Sequence, residues 1–187
     1  MQAVPLSRYV VFFTIAILGC GIDLGTKAWV FEWLGMPSGP DHIFWIWKDY
    51  FGLQTSLNEG ALFGIGQGQV WLFAVLSVCA GLGILYWLFP CRAARDLWLT
   101  ISLAAISGGI VGNLYDRLGL WTIPGAPLER KCAVRDWILC QYHGWVWPNF
   151  NIADSLLVCG AAMLVWHAVF QPQPTAAGKA QPARQDA

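Results

Sequence analysis

The chain has 187 residues, of which 57% are hydrophobic and only 12% charged, with 12 tryptophans. A soluble domain carries about 25% charged residues, so this is the composition of a membrane protein. Eleven basic residues balance eleven acidic ones, and a net charge of zero offers no basic surface for nucleic acid.

A spanning helix needs roughly 20 mostly apolar residues. The first candidate runs from about Tyr9 to Leu34, interrupted by Asp23 and Lys27. Four residues apart, these two share a helix face. They form either an ion pair with Lys27 snorkelling outward or a charged contact that orders a site. Ile17-Leu18-Gly19-Cys20 resembles a lipoprotein cleavage site, but the apolar run continues well past Cys20, and a single continuous span is expected.

After the first span, His42 to Leu57 has the aromatic and β-branched content of strands. Asn58-Glu59-Gly60-Ala61-Leu62-Phe63-Gly64 reads as a turn. The second span, Val70 to Phe89, is uncharged, and a very short loop with Arg92 and Arg95 leads to the third, Leu97 to about Tyr115. Its end carries Gly108 and Gly112, a GxxxG that lets another helix approach closely. Asn113, Asp116 and Arg117 follow on one face. Asp116 beside Arg117 reads as a helix-end ion pair, and Asn113 at membrane depth needs a partner.

Val134 to Trp147 is again strand-like, with a turn at Tyr142-His143-Gly144 and with Asp136 inside it. The fourth span is about Ile152 to Phe170. Asn151 and Asp154 share a face at its start, where a helix cap alone would explain both. A carboxylate at the edge of a span is costly, however, and such residues are usually functional. Asp136 and Asp154 on one membrane face would be the raw material of acid–base hydrolysis. The expected architecture is one all-α domain of four spans over residues 1–171, with a small β element on the outer surface. A disordered cytoplasmic tail is expected at 172–187.

Cytoplasmic loops favour Lys and Arg. Arg8, Arg92, Arg95, Lys179 and Arg184 place the termini inside, although Arg117, Arg130, Lys131 and Arg135 fall on the opposite side. Nine tryptophans (Trp29, Trp33, Trp45, Trp47, Trp71, Trp121, Trp137, Trp145 and Trp147) are expected to form an interfacial cluster on the outer face. Cys20, Cys79 and Cys159 read as small buried hydrophobes. There is no HExxH, GxSxG or zinc-type spacing, so no metal or cofactor is called for; His143 with two acids is the one weak alternative.

Five blocks together resemble the lipoprotein signal peptidases (signal peptidase II), aspartic membrane proteases of bacteria. They are Asp23-Leu24-Gly25-Thr26-Lys27, Asn58-x-Gly60-Ala61-x-Phe63, Gly108-Gly109-x-x-Gly112-Asn113-x-x-Asp116-Arg117, Val134-x-Asp136-Trp137 and Phe150-Asn151-x-Ala153-Asp154. The resemblance implies a multi-pass inner-membrane enzyme whose site faces the periplasm. It further implies that the enzyme cuts diacylglyceryl-modified prolipoproteins just before the lipidated Cys, among membrane lipids and as a monomer. Asp136 and Asp154 match the catalytic dyad. Asp23, Lys27, Asn58, Gly60, Asn113, Asp116, Arg117 and Asn151 match supporting positions. Trp137 replaces the family's usual Phe, and the stretch from Arg117 to Asp136 is longer than the family norm. Asp136 is preferred over Asp116 because Arg117 lies beside the latter. Cys132 and Cys140, bracketing Asp136 in a loop expected to face an oxidising compartment, are candidates for a disulfide. A small transporter or channel subunit is the rival reading, though the acids crowd one face and no polar path crosses the bilayer.

Overall fold

A computed structural model describes residues 3–39, 41–60, 66–123 and 126–170. The expected tail and the Ala61–Phe63 part of the second block lie outside the described residues. Four helices are long and apolar enough to cross a bilayer: α1 (Leu6–Leu34), α2 (Val70–Leu88), α3 (Leu97–Arg117) and α4 (Ile152–Phe170). α1 is unbroken through Cys20. At 1.5 Å per residue its 29 residues span about 43 Å, longer than an upright crossing of the ~30 Å hydrocarbon core requires.

α3 is the central helix and packs on the other three. Lipid tails are as apolar as leucine, so helices associate through close packing of small residues rather than through hydrophobicity. Accordingly, its eleven buried positions are almost all small or polar, from Thr100 to Asp116. The Gly108/Gly112 pair is such a close-approach face. A Cβ at Gly108 would sit 3.0 Å from the Ala16 carbonyl of α1, and one at Gly112 would collide with the Asp23 carboxylate. α2 buries only Ala74 and Leu88 and leaves most of its apolar surface outward. Cys79 and Cys159 are likewise exposed on the outside of their helices, which corrects the expectation that they are buried.

Over one end of the bundle lies a four-stranded antiparallel sheet in the order β1 (Phe44–Trp47), β2 (Phe51–Asn58), β3 (Val134–Tyr142) and β4 (Trp145–Phe150). The β3–β4 hairpin closes through His143-Gly144. Both have positive φ (47° and 80°), as the type I′ turn of a two-residue hairpin requires. β2 and β3 come from opposite sides of α2 and α3, with Ser56 paired to Asp136 and Leu57 to Arg135. A core of Val30, Phe31, Leu53, Leu57, Trp121, Ala133, Trp137 and Ile138 glues the sheet to the end of α1. Trp121 (2% exposed) and Trp137 (8%) therefore belong to this core and not to an interfacial belt, whereas Trp29, Trp33, Trp47, Trp71 and Trp145 are exposed.

All six cysteines are free thiols. Cys132 precedes β3 and Cys140 lies six residues into it. Six residues of strand extend roughly 20 Å, far beyond the ~7 Å limit between the Cα atoms of a disulfide.

Candidate active site

The C-terminal end of α3, the N-terminal end of α4, the second half of α1 and strands β2 and β3 converge at the end of the bundle that carries the sheet. Two connected layers of polar side chains fill this junction.

The inner layer is ionic. Lys27 is fully buried, with its Nζ 2.8 Å from Asp23 Oδ2 and 3.1 Å from Asp116 Oδ2. It points inward and does not snorkel. Arg135 closes the set: its Nε and Nη2 donate to Asp116 Oδ1 at 3.0 and 2.7 Å, and its backbone N–H donates to Asp116 Oδ2 at 3.0 Å. Asp116 thus pairs with Lys27 and Arg135, not with Arg117 as its sequence position suggested. Two buried acids and two buried bases cancel in charge, the condition under which ions tolerate burial. Asp23 Oδ1 also accepts the Ala153 N–H at 2.8 Å, tying α1 to the first turn of α4.

The outer layer holds the two candidate carboxylates. Asn113 Oδ1 accepts from Lys27 Nζ (2.9 Å) and from Asn151 Nδ2 (3.1 Å), and Asn113 Nδ2 donates to Asp154 Oδ1 at 2.8 Å. Asn151 caps α4 reciprocally with Asp154: Asn151 Oδ1 accepts the Asp154 N–H (2.9 Å), and the Asn151 N–H donates to Asp154 Oδ2 (3.2 Å). The helix-cap arrangement is therefore present, but it leaves Asn151 Nδ2 free to donate to Asp136 Oδ1 at 2.6 Å. One buried asparagine joins both carboxylates. The orientations of both amides follow from their partners, because Lys27 and the Asp154 N–H can only donate and must face oxygen.

Asp136 reaches this layer because successive strand residues point to opposite sides. Arg135 faces Asp116, and Asp136 faces the cavity. Asn58, at the end of β2, donates from Nδ2 to Asp136 Oδ2 at 3.2 Å, while its Oδ1 accepts the Gly60 N–H at 3.0 Å in a short turn. Burial pushes the Asp136 carboxyl from the ordinary 3.8 up to about 8. The neighbouring Asp154 adds to this, while the Asn58 and Asn151 hydrogen bonds and the Lys27 charge oppose it. A cavity of about 600 Å³ opens onto Asn58, Gly60, Asn113, Arg117, Asp136 and Asp154. Arg117 lies across it, donating to the Gly60 carbonyl at 3.5 Å with its guanidinium 5.5 Å from the Phe73 ring.

The two candidate carboxylates and the eight supporting residues named with them thus reach one junction. Asn58, Gly60, Asn113, Arg117, Asp136 and Asp154 line the cavity, Asn151 bridges the acids, and Asp23, Lys27 and Asp116 lie behind. Sequence reasoning missed Arg135, whose adjacency to Asp136 in a strand was a usable sign that it faces away from the cavity. It also missed Gln67, Ser56 and Asn149, which line the cavity from loops and strands and carry no periodic signal. His143 occupies the hairpin tip, edge-on to the Tyr142 ring at 4.4 Å, and does not accompany the acids. Among the described residues no group of three or more His, Cys, Asp or Glu is placed to hold a metal ion.

A family model described as signal peptidase (SPase) II matches residues 15–170. The chain is 53% identical over 164 residues to the lipoprotein signal peptidase of Rhodopirellula baltica, covering 87% of this chain and 73% of that one. It is 40% identical over 122 residues to the protein of that name in Pseudomonas syringae pv. tomato, covering 62% of this chain and 63% of that one. A solved bacterial membrane enzyme aligns with a TM-score of 0.70 at 21% identity, over 92% of this chain and 94% of that one, a likeness of fold.

Proposed function

The chain belongs to the signal peptidase II family, and on that footing we propose that it is a membrane aspartic endopeptidase that removes signal peptides from diacylglyceryl-modified prolipoproteins. The observation that carries this reading is the joining of Asp136 and Asp154 through Asn151 at the wall of one cavity. The transporter alternative is dropped, because the named relatives are peptidases.

Two neighbouring carboxyls do not both ionise readily, so the dyad carries one proton near neutrality. Burial and the neighbouring Asp154 raise the Asp136 pKa, which makes Asp136 the member that favours the shared proton. Asp154 then takes a proton from a water as its oxygen attacks the carbonyl preceding the lipidated Cys. Asp136 donates a hydrogen bond to that carbonyl oxygen, where negative charge develops. When the C–N bond breaks, the proton is delivered to the leaving Cys amine and the signal peptide departs with a new carboxylate. The pair titrates as a unit, and the roles exchange over the cycle. Arg117 supplies positive charge at the cavity wall for the peptide or the lipid head group. Leu157 and Val158 of α4 extend that wall with apolar surface suited to acyl chains.

In this reading the sheet and cavity face the periplasm, while the Arg92/Arg95 loop and both termini are cytoplasmic, in accord with the positive-inside rule. The enzyme is a monomer in the inner membrane and uses no cofactor. The test is cleavage by the purified protein of one prolipoprotein with and without its diacylglyceryl group. Cleavage of the lipidated form alone, leaving a lipidated Cys at the new N-terminus, is expected. Equal cleavage of both forms, or of neither, would contradict the reading.

A further inference from the structure

Arg130 lies in the long stretch between Arg117 and Asp136, at the end of a short 3-10 turn (Leu128–Arg130). Its guanidinium reaches back to β2. Nη2 donates to the Leu57 carbonyl at 2.6 Å, and Nε donates to Glu59 Oε1 at 2.8 Å. These two acceptors flank Asn58, the residue whose amide donates to Asp136. The β2–β3 ladder makes its last pair at Asn58 and Val134, so beyond Asn58 the chain leaves the sheet. Among the described residues it is also held there by the turn's own Asn58–Gly60 bond and by the 3.5 Å contact from Arg117 to the Gly60 carbonyl.

We propose that Arg130 is a positioning residue for the dyad: its fork grips the Leu57 carbonyl on one side of Asn58 and the Glu59 carboxylate on the other, and so holds the Asn58 amide on Asp136. The ion pair itself is part-exposed and contributes little as a charge pair. The clamp depends on geometry: the guanidinium presents Nε and Nη2 to two separated acceptors from one rigid plane, whereas the ammonium of Lys is a single point on a flexible stem and does not reproduce that spacing. The proposal rests on the reading of Asp136 and Asp154 as the reacting pair. It adds a reason for the longer stretch before Asp136, which carries the side chain that secures the far side of the site.

The charged groups facing Asp136 are Asp154 from α4, Lys27 from α1 and Arg117 from α3. Replacing Arg130 alters none of them. It loosens only the Asn58 hydrogen bond, which opposes the rise in the Asp136 pKa. Arg130→Ala should therefore lower kcat about tenfold with little change in KM. It should also move the high-pH limb of the kcat profile upward. Arg130→Lys should behave like Arg130→Ala. Glu59→Gln, which keeps the Leu57 bond, should have a smaller effect of the same sign. Isotope-edited infrared titration of the Asp136 carboxyl should show the same upward shift without any turnover. An unchanged carboxyl titration in Arg130→Ala, full rescue by Lys, or a rise in KM at constant kcat would overturn the proposal. If the wild-type protein cleaves no lipidated substrate, the peptidase reading fails, and the infrared titration still decides whether Arg130 acts on Asp136 through Asn58.

Discussion

Asn151 occupies the position on which the site turns, because its one amide caps a helix with its oxygen and reaches Asp136 with its nitrogen. The sequence could place Asn151 and Asp154 on one face by their spacing of three. It could not reveal that Asn58 would arrive from a strand 78 residues away to hydrogen-bond Asp136. The raised pKa of Asp136 has two consequences. Activity that needs its proton should fall as pH rises past about 8, and Asn58→Leu, which removes an opposing hydrogen bond, should move that limb upward. A pH–rate series on both proteins checks this. Stability carries the same sign. The folded carboxyl titrates at about 8 and the unfolded one near 3.8, so the native state binds the extra proton between these values. Stability is then fully present below about 4 and declines toward 8. Asp136→Asn cannot lose that proton, so its melting temperature relative to wild type should rise across this window and level off above it.

At the scale of elements, the four spans were legible because about 20 apolar residues in a row have few alternatives. α2 begins at the expected Val70, and α3 runs on to Arg117 because its last turn is held by the Lys27 and Arg135 contacts to Asp116. The order of the sheet was not legible, since the β2–β3 pairing joins segments separated by two helices, and local pattern says nothing of such a partner. The burial of Trp121 and Trp137 was misread for the same reason: composition ranks tryptophan as interfacial, and only the tertiary core shows otherwise. The buried ionic layer links α1, α3 and β3. Lys27→Met would leave Asp23 without its cation and Asp116 with Arg135 alone, and should cost about 3–5 kcal/mol. Gly112→Ala should displace the Asp23 carboxylate and release the Ala153 N–H at the head of α4. Thermal unfolding in detergent checks both, and melting temperatures equal to wild type would contradict the packing described.

For the molecule as a whole, the two ends of the bundle are chemically unlike. One carries the sheet, the cavity and the exposed Trp29, Trp33 and Trp47, while the other carries Arg92, Arg95 and the exposed thiol of Cys91. The proposed orientation predicts that a membrane-impermeant maleimide labels Cys91 in inverted vesicles and not in intact spheroplasts. The opposite pattern would reverse the topology. In the proposed cycle both carboxylates act in one reaction. The decisive measurement is the cleavage rate of a lipidated prolipoprotein by Asp136→Asn and by Asp154→Asn, each verified as folded by its melting curve. A loss of about a thousandfold or more is expected in both. A folded variant of either kind that cleaves at close to the wild-type rate would contradict it.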